Sequence, residues 1–328
     1  MESQQYNTPE GPGAQTHRQA EMFANRIAKN HKHLSKWAKN NHVECYRIYD
    51  RDIPELAFAL DIYAERAHLQ QYSEPAMAPE TQRDWLTAMH QAAARALGRP
   101  LKDITLKQRQ GQRPEQQYRK LATQAADFVV QEGGHRFIVN LTGHLDTGLF
   151  LDHRQTRALV GSLAHGKRVL NLFCYTGSFS VYAAKNQATA TTSVDLSKTY
   201  LDWASRNFDL NGIDRANNRL VQSDAVRFIE TERASRDRYE LIVLDPPSFS
   251  NSKRMKGVLD VQRDHAALIR GCLELLARGG ELLFSTNLRT FRLDTSALAD
   301  LPMQEISAQT VPPDFRNRRI HRCWRVKP

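Results

Sequence analysis

The strongest constraint on the fold of this chain is a series of apolar segments that each end in a short polar loop. The first covers residues 168–173 and leads through a small-residue turn to Gly177. The second ends at Asp195, and the third, residues 240–245, ends in Asp-Pro-Pro. A helical pattern follows each segment. Apolar strands that alternate with helices of this length predict a parallel sheet with helices on both faces.

The alternation continues along the chain and predicts an α/β domain over residues 146–328. The expected fold is Rossmann-like, with a doubly wound, mostly parallel sheet of seven strands. The strands are predicted near residues 168–173, 190–195, 218–222, 240–245, 281–286, 303–309 and 320–327. The helices are predicted near residues 153–164, 178–186, 199–210, 225–232, 262–277 and 295–300. The last two strands are expected to pair antiparallel at one sheet edge.

The first 145 residues are organised differently. Residues 1–19 are polar and contain proline and glycine, which predicts a disordered tail. Residues 20–145 mix helices with short strands, which predicts a small α+β domain. Its helices are expected from Ala20 and over residues 79–97. Its strands are expected at residues 43–49, 57–63, 68–72 and 101–107, with a hairpin over residues 128–140.

The loop after the first strand of the larger domain differs from a dinucleotide-binding loop. The Gly-x-Gly-x-x-Gly pattern is absent, and Tyr175 stands where a second glycine would let a pyrophosphate approach. A cofactor with an adenosine but no phosphate tolerates this loop, and S-adenosylmethionine (SAM) is such a cofactor. Asp195 is placed to accept the ribose hydroxyls, and Asp224 to accept the adenine amino group. Each carboxylate could instead cap the helix that follows it.

The loop after the fourth strand reads Asp245-Pro-Pro-Ser-Phe249. Two consecutive prolines fix the backbone and remove two N–H donors. They leave a rigid rim of carbonyl groups, and Phe249 offers a face on which a nucleobase could stack. The alternative is an ordinary turn.

Several segments together resemble the large-subunit ribosomal RNA methyltransferases, and most of all the half of the bifunctional 23S rRNA enzymes that makes 7-methylguanosine. The resemblance covers residues 21–328. It is carried by residues 22–26, 37–39, 44–49, 146–154, 171–177, 194–197, 245–255 and 260–265. It implies SAM as the methyl donor, S-adenosylhomocysteine (SAH) as the product and a 23S rRNA guanosine N7 as the acceptor. The half that makes N2-methylguanosine has no counterpart here, so we expect a stand-alone version.

The resemblance and the strand-end positions together give three sets of candidate site residues. The set expected to hold the cofactor is Asp152, Arg154, Asn171, Phe173, Cys174, Tyr175, Thr176, Gly177, Asp195, Leu196, Ser197, Asp224, Ala225 and Asp245. The set expected at the reacting base is Asp245, Pro246, Pro247, Phe249 and Asn287. The set expected to grip RNA is Lys29, Lys32, Lys36, Lys253, Arg254 and Arg289. Arg154 is assigned either to the methionine carboxylate of SAM or to a salt bridge at a helix start.

The residues in the loops give independent evidence on which base atom is methylated. A cytosine-C5 enzyme needs a cysteine nucleophile, but the relevant loops carry Ser248-Phe249 and Ser-Thr-Asn287. Amino-group methylation often accompanies an aromatic residue directly after Pro-Pro, whereas here Ser248 intervenes. Guanine N7 has a free in-plane lone pair, so its methylation requires alignment but no general base. Asp245 is then the candidate group that stabilises the positive charge of the product.

The charge of the chain indicates the kind of partner it binds, and its cysteines bear on disulfides and metal sites. The formal net charge is +10, and basic residues cluster within residues 26–39, 101–120 and 315–328, which favours an RNA partner. Because the four cysteines are scattered, we expect neither disulfides nor a metal site. No membrane-span pattern or secretory segment is present, so we expect a cytoplasmic protein whose partner is 23S rRNA or a large-subunit assembly intermediate. A non-catalytic ribosome-assembly factor and a methyltransferase for another base atom remain alternatives, and the sequence leaves the oligomeric state open.

Overall fold

The computed structural model describes residues 12–73, 76–108, 126–235, 237–251 and 257–328. The chain divides into two compact units, residues 1–112 and 113–328. In the described ranges, no helix is both long and apolar enough to cross a membrane.

The first unit is a four-stranded sheet with two helices. Its elements are α1 (Pro12–Asn40), β1 (Cys45–Asp50), β2 (Phe58–Tyr63), β3 (Arg66–Gln71), α2 (Pro79–Leu97) and β4 (Ile104–Gln108). The strands follow the order β1-β2-β3-β4, antiparallel except for the parallel pair β3–β4. Phe23 and Ile27 of α1 pack with Phe58, Leu60 and Trp85 in one apolar core.

Two expectations for this unit need correction. Residues 12–19 are helical rather than disordered, because α1 begins at Pro12 and Gln19 Oε1 accepts a hydrogen bond of 2.7 Å from Trp85 Nε1. Residues 1–11 lie outside the described residues. The predicted strand over residues 101–107 begins with a 3-10 turn, Leu101–Asp103, before β4. The other predicted helices and strands of this unit are confirmed.

The second unit is a seven-stranded sheet covered by helices. Its described part begins with the hairpin β5 (Phe128–Glu132) and β6 (His135–Val139). It continues through α3 (Arg154–Ala164), β7 (Arg168–Leu172), α4 (Ser178–Lys185), β8 (Ala190–Asp195), α5 (Lys198–Leu210), β9 (Asn218–Gln222), α6 (Ala225–Glu232) and β10 (Tyr239–Leu244). The remaining elements are β11 (Phe249–Ser250), β12 (Leu259–Asp260), α7 (Val261–Glu274), β13 (Leu276–Thr286), β14 (Met303–Glu305), α8 (Ser307–Thr310) and β15 (Arg322–Val326).

The sheet has the predicted doubly wound α/β topology. The strand order is β14-β15-β13-β10-β7-β8-β9, and the five strands from β13 to β9 are parallel. β15 pairs antiparallel with both β13 and β14, which confirms the antiparallel pair at one edge. Of the predicted elements, 303–309 is a three-residue strand followed by α8, and residues 295–300 form turns rather than a helix.

The hairpin β5–β6 belongs to the second unit and not to the small domain that we expected to end at residue 145. Its backbone is held by α5 and the residue that follows this helix: Asn207 Oδ1 accepts from Ile138 N at 2.9 Å, and Asn211 Oδ1 from Arg136 N at 3.0 Å. Gly133 and Gly134 have positive φ angles of 59° and 81°, which the tight hairpin turn requires. The boundary between the units therefore lies before the hairpin.

Candidate functional site

The topology brings the carboxyl ends of five parallel strands to one edge of the second unit's sheet. From β7 the chain proceeds outward through β8 to β9 and then returns to the other side of β7 as β10. A crevice outside the strand ends at such a switch point is where α/β sheets bind ligands. The predicted residues Asp195, Asp224 and Asp245 follow or end β8, β9 and β10 at this edge.

The loop between β7 and α4 is wound tightly enough to bring backbone close to a ligand. Phe173, Tyr175 and Gly177 all have positive φ, at 57°, 52° and 75°. A Cβ on Gly177 would lie 3.0 Å from the Ala204 side chain and 3.2 Å from Phe208, so the loop packs directly on α5. Two non-glycine residues in this backbone region are uncommon and mark a conformation imposed by the surroundings.

Side chains beneath this loop support it rather than line the crevice. Asn171 is buried, and its Nδ2 donates to Ser180 Oγ at 2.9 Å. Thr176 is buried and donates to the Gly148 carbonyl at 2.7 Å, while Cys174 is a buried thiol. Any contact of these three residues with a cofactor is therefore expected through the loop backbone.

Asp195 organises the same loop from the end of β8. Its Oδ2 accepts from Tyr175 N at 2.9 Å, and its Oδ1 accepts from Ser197 N at 2.9 Å. Burial raises the pKa of Asp195 to about 6, although the hydrogen bonds from Ser197 and Tyr175 oppose the shift. A carboxylate that has lost solvent in this way gains from two further donors, such as ribose hydroxyls.

The helix-capping alternatives are also present at this edge. Ser197 is the N-cap of α5, accepting from Tyr200 N at 3.3 Å. Asp224 is the N-cap of α6, with Oδ1 accepting from Arg227 N at 3.0 Å. Asp224 stays half-buried, and Leu196 and Ala225 stand beside the two caps. Capping leaves the second carboxylate oxygen of Asp224 for another donor, so the cap and the proposed adenine contact are compatible.

Asp245 is held in place after β10. Ser285 Oγ of β13 donates to Asp245 Oδ1 at 2.6 Å, and His153 Nε2 lies 3.5 Å from Asp245 Oδ2. Asn287, after β13, is exposed and accepts a hydrogen bond of 2.7 Å from Ser248 Oγ. The loops after β10 and β13 are thereby joined at the rim.

The prolines and Phe249 form the outer part of this rim. Pro246 is buried, Pro247 is half-buried, and the Phe249 side chain is 40% exposed. Phe249 pairs with Asp260 in the short β11–β12 ribbon, which holds it beside the strand ends. An exposed aromatic ring on an anchored ribbon is suited to stacking on a base.

A buried histidine pair behind Asp245 was missed by the sequence reasoning. The rings of His153 and His321 stack with centroids 4.5 Å apart and an interplanar angle of 9°. His321 Nδ1 lies 3.2 Å from Asp152 Oδ2, and its Nε2 lies 3.0 Å from Thr310 Oγ1. Asp152 therefore contacts His321 inside the unit and is not free to serve only a cofactor. Only the local motif around residues 152–154 pointed to this place.

The same three side chains, Asp152, His153 and His321, have ligand atoms within 4.8 Å of one another, as a metal site requires. However, a metal ion binds an imidazole nitrogen along its lone pair, in the plane of the ring. Two nearly parallel rings have lone pairs in separate planes, so they cannot both point at one ion. The stacking geometry therefore fits a hydrogen-bonded cluster better than a metal centre.

Arg154 forms salt bridges within the protein, as in the second of its two predicted roles. Its guanidinium forms hydrogen bonds of 2.7 and 3.2 Å with the two carboxylate oxygens of Asp314, and Nε lies 3.3 Å from Glu132 Oε2. Arg157 pairs with Glu132 at 2.8 and 2.9 Å. Burial pushes the pKa of Glu132 upward, but the Arg157 and Arg154 guanidiniums outweigh it, so this pKa is lowered. We therefore replace the methionine-carboxylate assignment of Arg154 with a structural one.

The candidate RNA-binding residues divide into three groups. Three lysines of α1 are exposed on the face opposite the apolar core: Lys29, Lys32 and Lys36. Arg289 is exposed three residues after β13, whereas Lys253 and Arg254 lie outside the described residues. In the C-terminal basic cluster, Arg322 pairs with Glu305 and Arg325 with Glu281, so these two charges stabilise the sheet edge.

All four cysteines are buried. Burial raises the pKa of the Cys174 thiol well above its usual value, and it also raises those of Cys272 and Cys323. A buried thiol with a raised pKa is a poor nucleophile. The structure thus agrees with the absence of a catalytic cysteine from the loops after β10 and β13.

Comparison with known proteins gives a consistent result. Residues 71–315 match the model of the S-adenosylmethionine-dependent methyltransferase family. Ribosomal RNA large subunit methyltransferase K of Neisseria meningitidis serogroup B is 53% identical over 93% of this chain and 86% of its own length. Ribosomal RNA large subunit methyltransferase K/L of Pseudomonas putida is 52% identical over 94% of this chain, which spans only 42% of that relative's length. A crystal structure of a methyltransferase complexed with SAH is similar, with a TM-score of 0.75, 26% identity and coverage of 94% of this chain and 82% of the other.

Proposed function

The chain belongs to the S-adenosylmethionine-dependent methyltransferase family, and we propose that it methylates N7 of a guanosine in 23S ribosomal RNA. SAM is its cofactor and supplies an electrophilic methyl group, leaving SAH. The RNA substrate is supported by the relatives that are named ribosomal RNA large subunit methyltransferases. A 23S rRNA substrate would place the reaction in the cytoplasm.

The residues present fit this cofactor. We propose that Asp195 accepts the ribose hydroxyls and Asp224 the adenine amino group, because each has carboxylate lone pairs left after its backbone contacts. The loop from Phe173 to Gly177 brings backbone to the same edge. Leu196, Ser197 and Ala225 are expected to border the adenosine.

The observation that carries the N7 assignment is the fixed carboxylate of Asp245 at an edge without a reactive thiol. Ser285 holds Asp245 at 2.6 Å, so the carboxylate is preorganised to face a charge that develops during the reaction. Methylation of guanine N7 creates a cationic base and releases no proton. The protein then needs to align the base, exclude water and compensate its charge, and alignment can supply roughly 7–11 kcal/mol of the barrier.

We propose that Phe249 and Asn287 align the base. Phe249 presents an exposed ring, and Asn287 is exposed at the rim with its Oδ1 held by Ser248. Pro246 and Pro247 keep the rim rigid and add no N–H donors that would compete for the base. The target base must leave its helix to reach such a rim, which favours naked or partly assembled RNA.

Methylation of the guanine N2 amino group is the second candidate, and one contact favours it. Amino-group methylation releases a proton, and His153 Nε2 lies 3.5 Å from Asp245 Oδ2. Asp245 would accept that proton, and the His153 imidazole would hold the carboxylate in position to receive it. Cytosine C5 is disfavoured by the buried cysteines, and a non-catalytic assembly factor would not need a preorganised Asp245.

Two transcripts separate the candidate acceptor atoms. The test is methyl transfer to a 23S rRNA transcript that contains guanosine and to one in which 7-deazaguanosine replaces it. 7-Deazaguanosine keeps the N2 amino group but has a C–H in place of N7. We expect methylation of the first transcript alone, and methylation of both at similar rates would overturn the N7 assignment. An unmodified transcript with intact SAM binding would favour the assembly-factor alternative or an assembly intermediate as substrate.

We further propose that the small N-terminal unit binds RNA backbone. The three exposed lysines of α1 stand at spacings of three and four residues, which places them on one helix face. Contacts of this kind neutralise phosphates without reading base sequence. Arg289, and Lys253 and Arg254 outside the described residues, are proposed to hold the RNA near the reacting base.

A further inference from the structure

We propose that His153 is a positioning residue for Asp245, which holds this carboxylate through an Nε2–H group and removes the negative charge of the site when it becomes protonated. The inference rests on the proposed place of Asp245 beside the reacting groups. This role of His153 can be tested without RNA.

The position of His153 favours one neutral tautomer. Its Nε2 faces two carboxylates, at 3.5 Å from Asp245 Oδ2 and 3.9 Å from Asp152 Oδ2. Its Nδ1 is buried without a hydrogen-bond partner. A proton on Nε2 is attracted to both carboxylates, whereas a proton on Nδ1 would leave a buried donor unsatisfied. The Nε2–H tautomer is therefore the stable neutral form.

His153 is fixed so that it can act as a rigid support. It is 5% exposed, stacks on His321 and makes an edge contact with Phe179 of α4 at 5.6 Å. His321 is in turn held between Asp152 and Thr310. Ser285 and His153 thus contact different oxygens of Asp245 from two sides, which defines the orientation of the carboxylate.

Burial favours the neutral form of His153 near pH 7, and the surrounding charges only modify this preference. Burial lowers its pKa, Asp245 and Asp152 oppose this shift, and His321 and Arg157 reinforce it. These groups come from the 3-10 turn before α3, the loop after β10, the segment before β15 and α3 itself. When His153 does take a proton, the imidazolium beside Asp245 cancels the field of that carboxylate.

SAM and SAH form a matched pair of probes for this field, because SAM carries a sulfonium charge and SAH does not. Groups that contact the shared adenosine, Asp195 among them, affect both affinities alike. The ratio Kd(SAH)/Kd(SAM) therefore isolates the charge facing the sulfur. Loss of one nearby carboxylate charge should change the ratio about tenfold at the effective dielectric constant of a partly buried site.

Two substitutions of His153 separate the effect of its N–H donor from the effect of its protonation. His153→Gln keeps an N–H donor near the Nε2 position but does not titrate, and His153→Leu removes the donor. His165→Gln is the matched control, because His165 is exposed at the end of α3. Thermal melting of each variant checks that it folds, and His153→Gln decides the question even if His153→Leu does not fold.

The experiment combines nitrogen NMR of histidine with calorimetric titration of SAM and SAH. We expect a neutral Nε2–H signal at pH 7 that disappears in His153→Gln, and an SAM preference that falls about tenfold as this group titrates below pH 6.5. His153→Gln should keep a constant ratio, whereas His165→Gln should behave as the wild type. An Nδ1–H tautomer, or a ratio in His153→Gln that varies with pH as in the wild type, would overturn the proposal. Because these measurements involve no RNA, a negative result here is distinct from failure of the RNA assignment.

Discussion

Lowering the pH from 8 to 5 should weaken the binding of SAH to this chain about tenfold through Asp195 alone. Burial raises the pKa of Asp195 to about 6 in the ligand-free protein. The ribose hydroxyls are expected to donate to the ionised carboxylate, so a proton on Asp195 competes with the ligand. At pH 5, one unit below the pKa, about nine in ten molecules carry that proton, and the apparent Kd rises by about the same factor of ten.

The effect of Asp195 ionisation on folding stability is opposite in sign to that of an aspartate whose pKa is lowered in the folded state by a salt bridge. The pKa of Asp195 is raised in the folded state, so its ionised form costs stability in the empty protein. This cost is absent below about pH 3.8 and complete above about pH 6. It amounts to at most about 3 kcal/mol, the equivalent of a rise in pKa from 3.8 to about 6, and the remaining solvent exposure of Asp195 reduces it. Binding of SAH should relieve the cost, and ligand stabilisation should be largest at neutral pH.

Calorimetric titration of SAH between pH 5 and pH 8, in buffers of different ionisation enthalpy, measures both the affinity and the protons released. We expect proton release on binding near pH 6 and little at pH 8. Asp195→Asn should bind SAH more weakly by about 1.5–3 kcal/mol at pH 8 and show no release. An SAH affinity in the wild type that is constant from pH 5 to pH 8 would refute the assignment of Asp195 to the ribose.

Three other predictions concern the packing and the RNA contacts. Gly148→Ala should lower the free energy of unfolding by about 3 kcal/mol, because the added Cβ would lie 2.2 Å from the Trp203 ring. Gly166 also has a positive φ but open space around it, so Gly166→Ala should lower the free energy of unfolding by about 1 kcal/mol. Similar midpoints of urea unfolding for the two variants would contradict this. Phe249→Ala should weaken RNA binding by about 1–3 kcal/mol with unchanged SAM affinity, as measured by filter binding, and an unchanged RNA affinity would exclude stacking. Charge reversal of the three exposed α1 lysines, Lys29, Lys32 and Lys36, should raise the KM for RNA, weaken the dependence of this KM on salt and leave SAM binding intact. An unchanged KM for RNA would exclude an RNA-binding role for these lysines.

The sequence predicts those parts of the fold that depend on local patterns. Apolar strands followed by polar loops gave the positions of β7 to β10, and with them the edge at which Asp195, Asp224 and Asp245 stand. The sequence also predicts the hairpin over residues 128–140, but it does not predict the packing of this hairpin on α5. A turn signal specifies which strands pair locally, whereas the packing partner is decided by side chains distant in the chain.

The parts of the site that escaped prediction involve contacts between distant segments. Arg154 and Asp314 are 160 positions apart, and Asp152 and His321 are 169 positions apart. Local spacing carries no information about such pairs, so Arg154 looked as suited to a ligand as to a salt bridge. The stacking of His153 on His321 required β15 to run antiparallel beside β13, which brings the segment before β15 to the carboxyl edge of the sheet.

Nucleoside mass spectrometry tests the identity of the methylated atom most directly. A 23S rRNA transcript would be incubated with this protein and isotope-labelled SAM, then digested to nucleosides. We predict that the label appears in 7-methylguanosine. Label in N2-methylguanosine, 5-methylcytidine or a methyladenosine instead would contradict it.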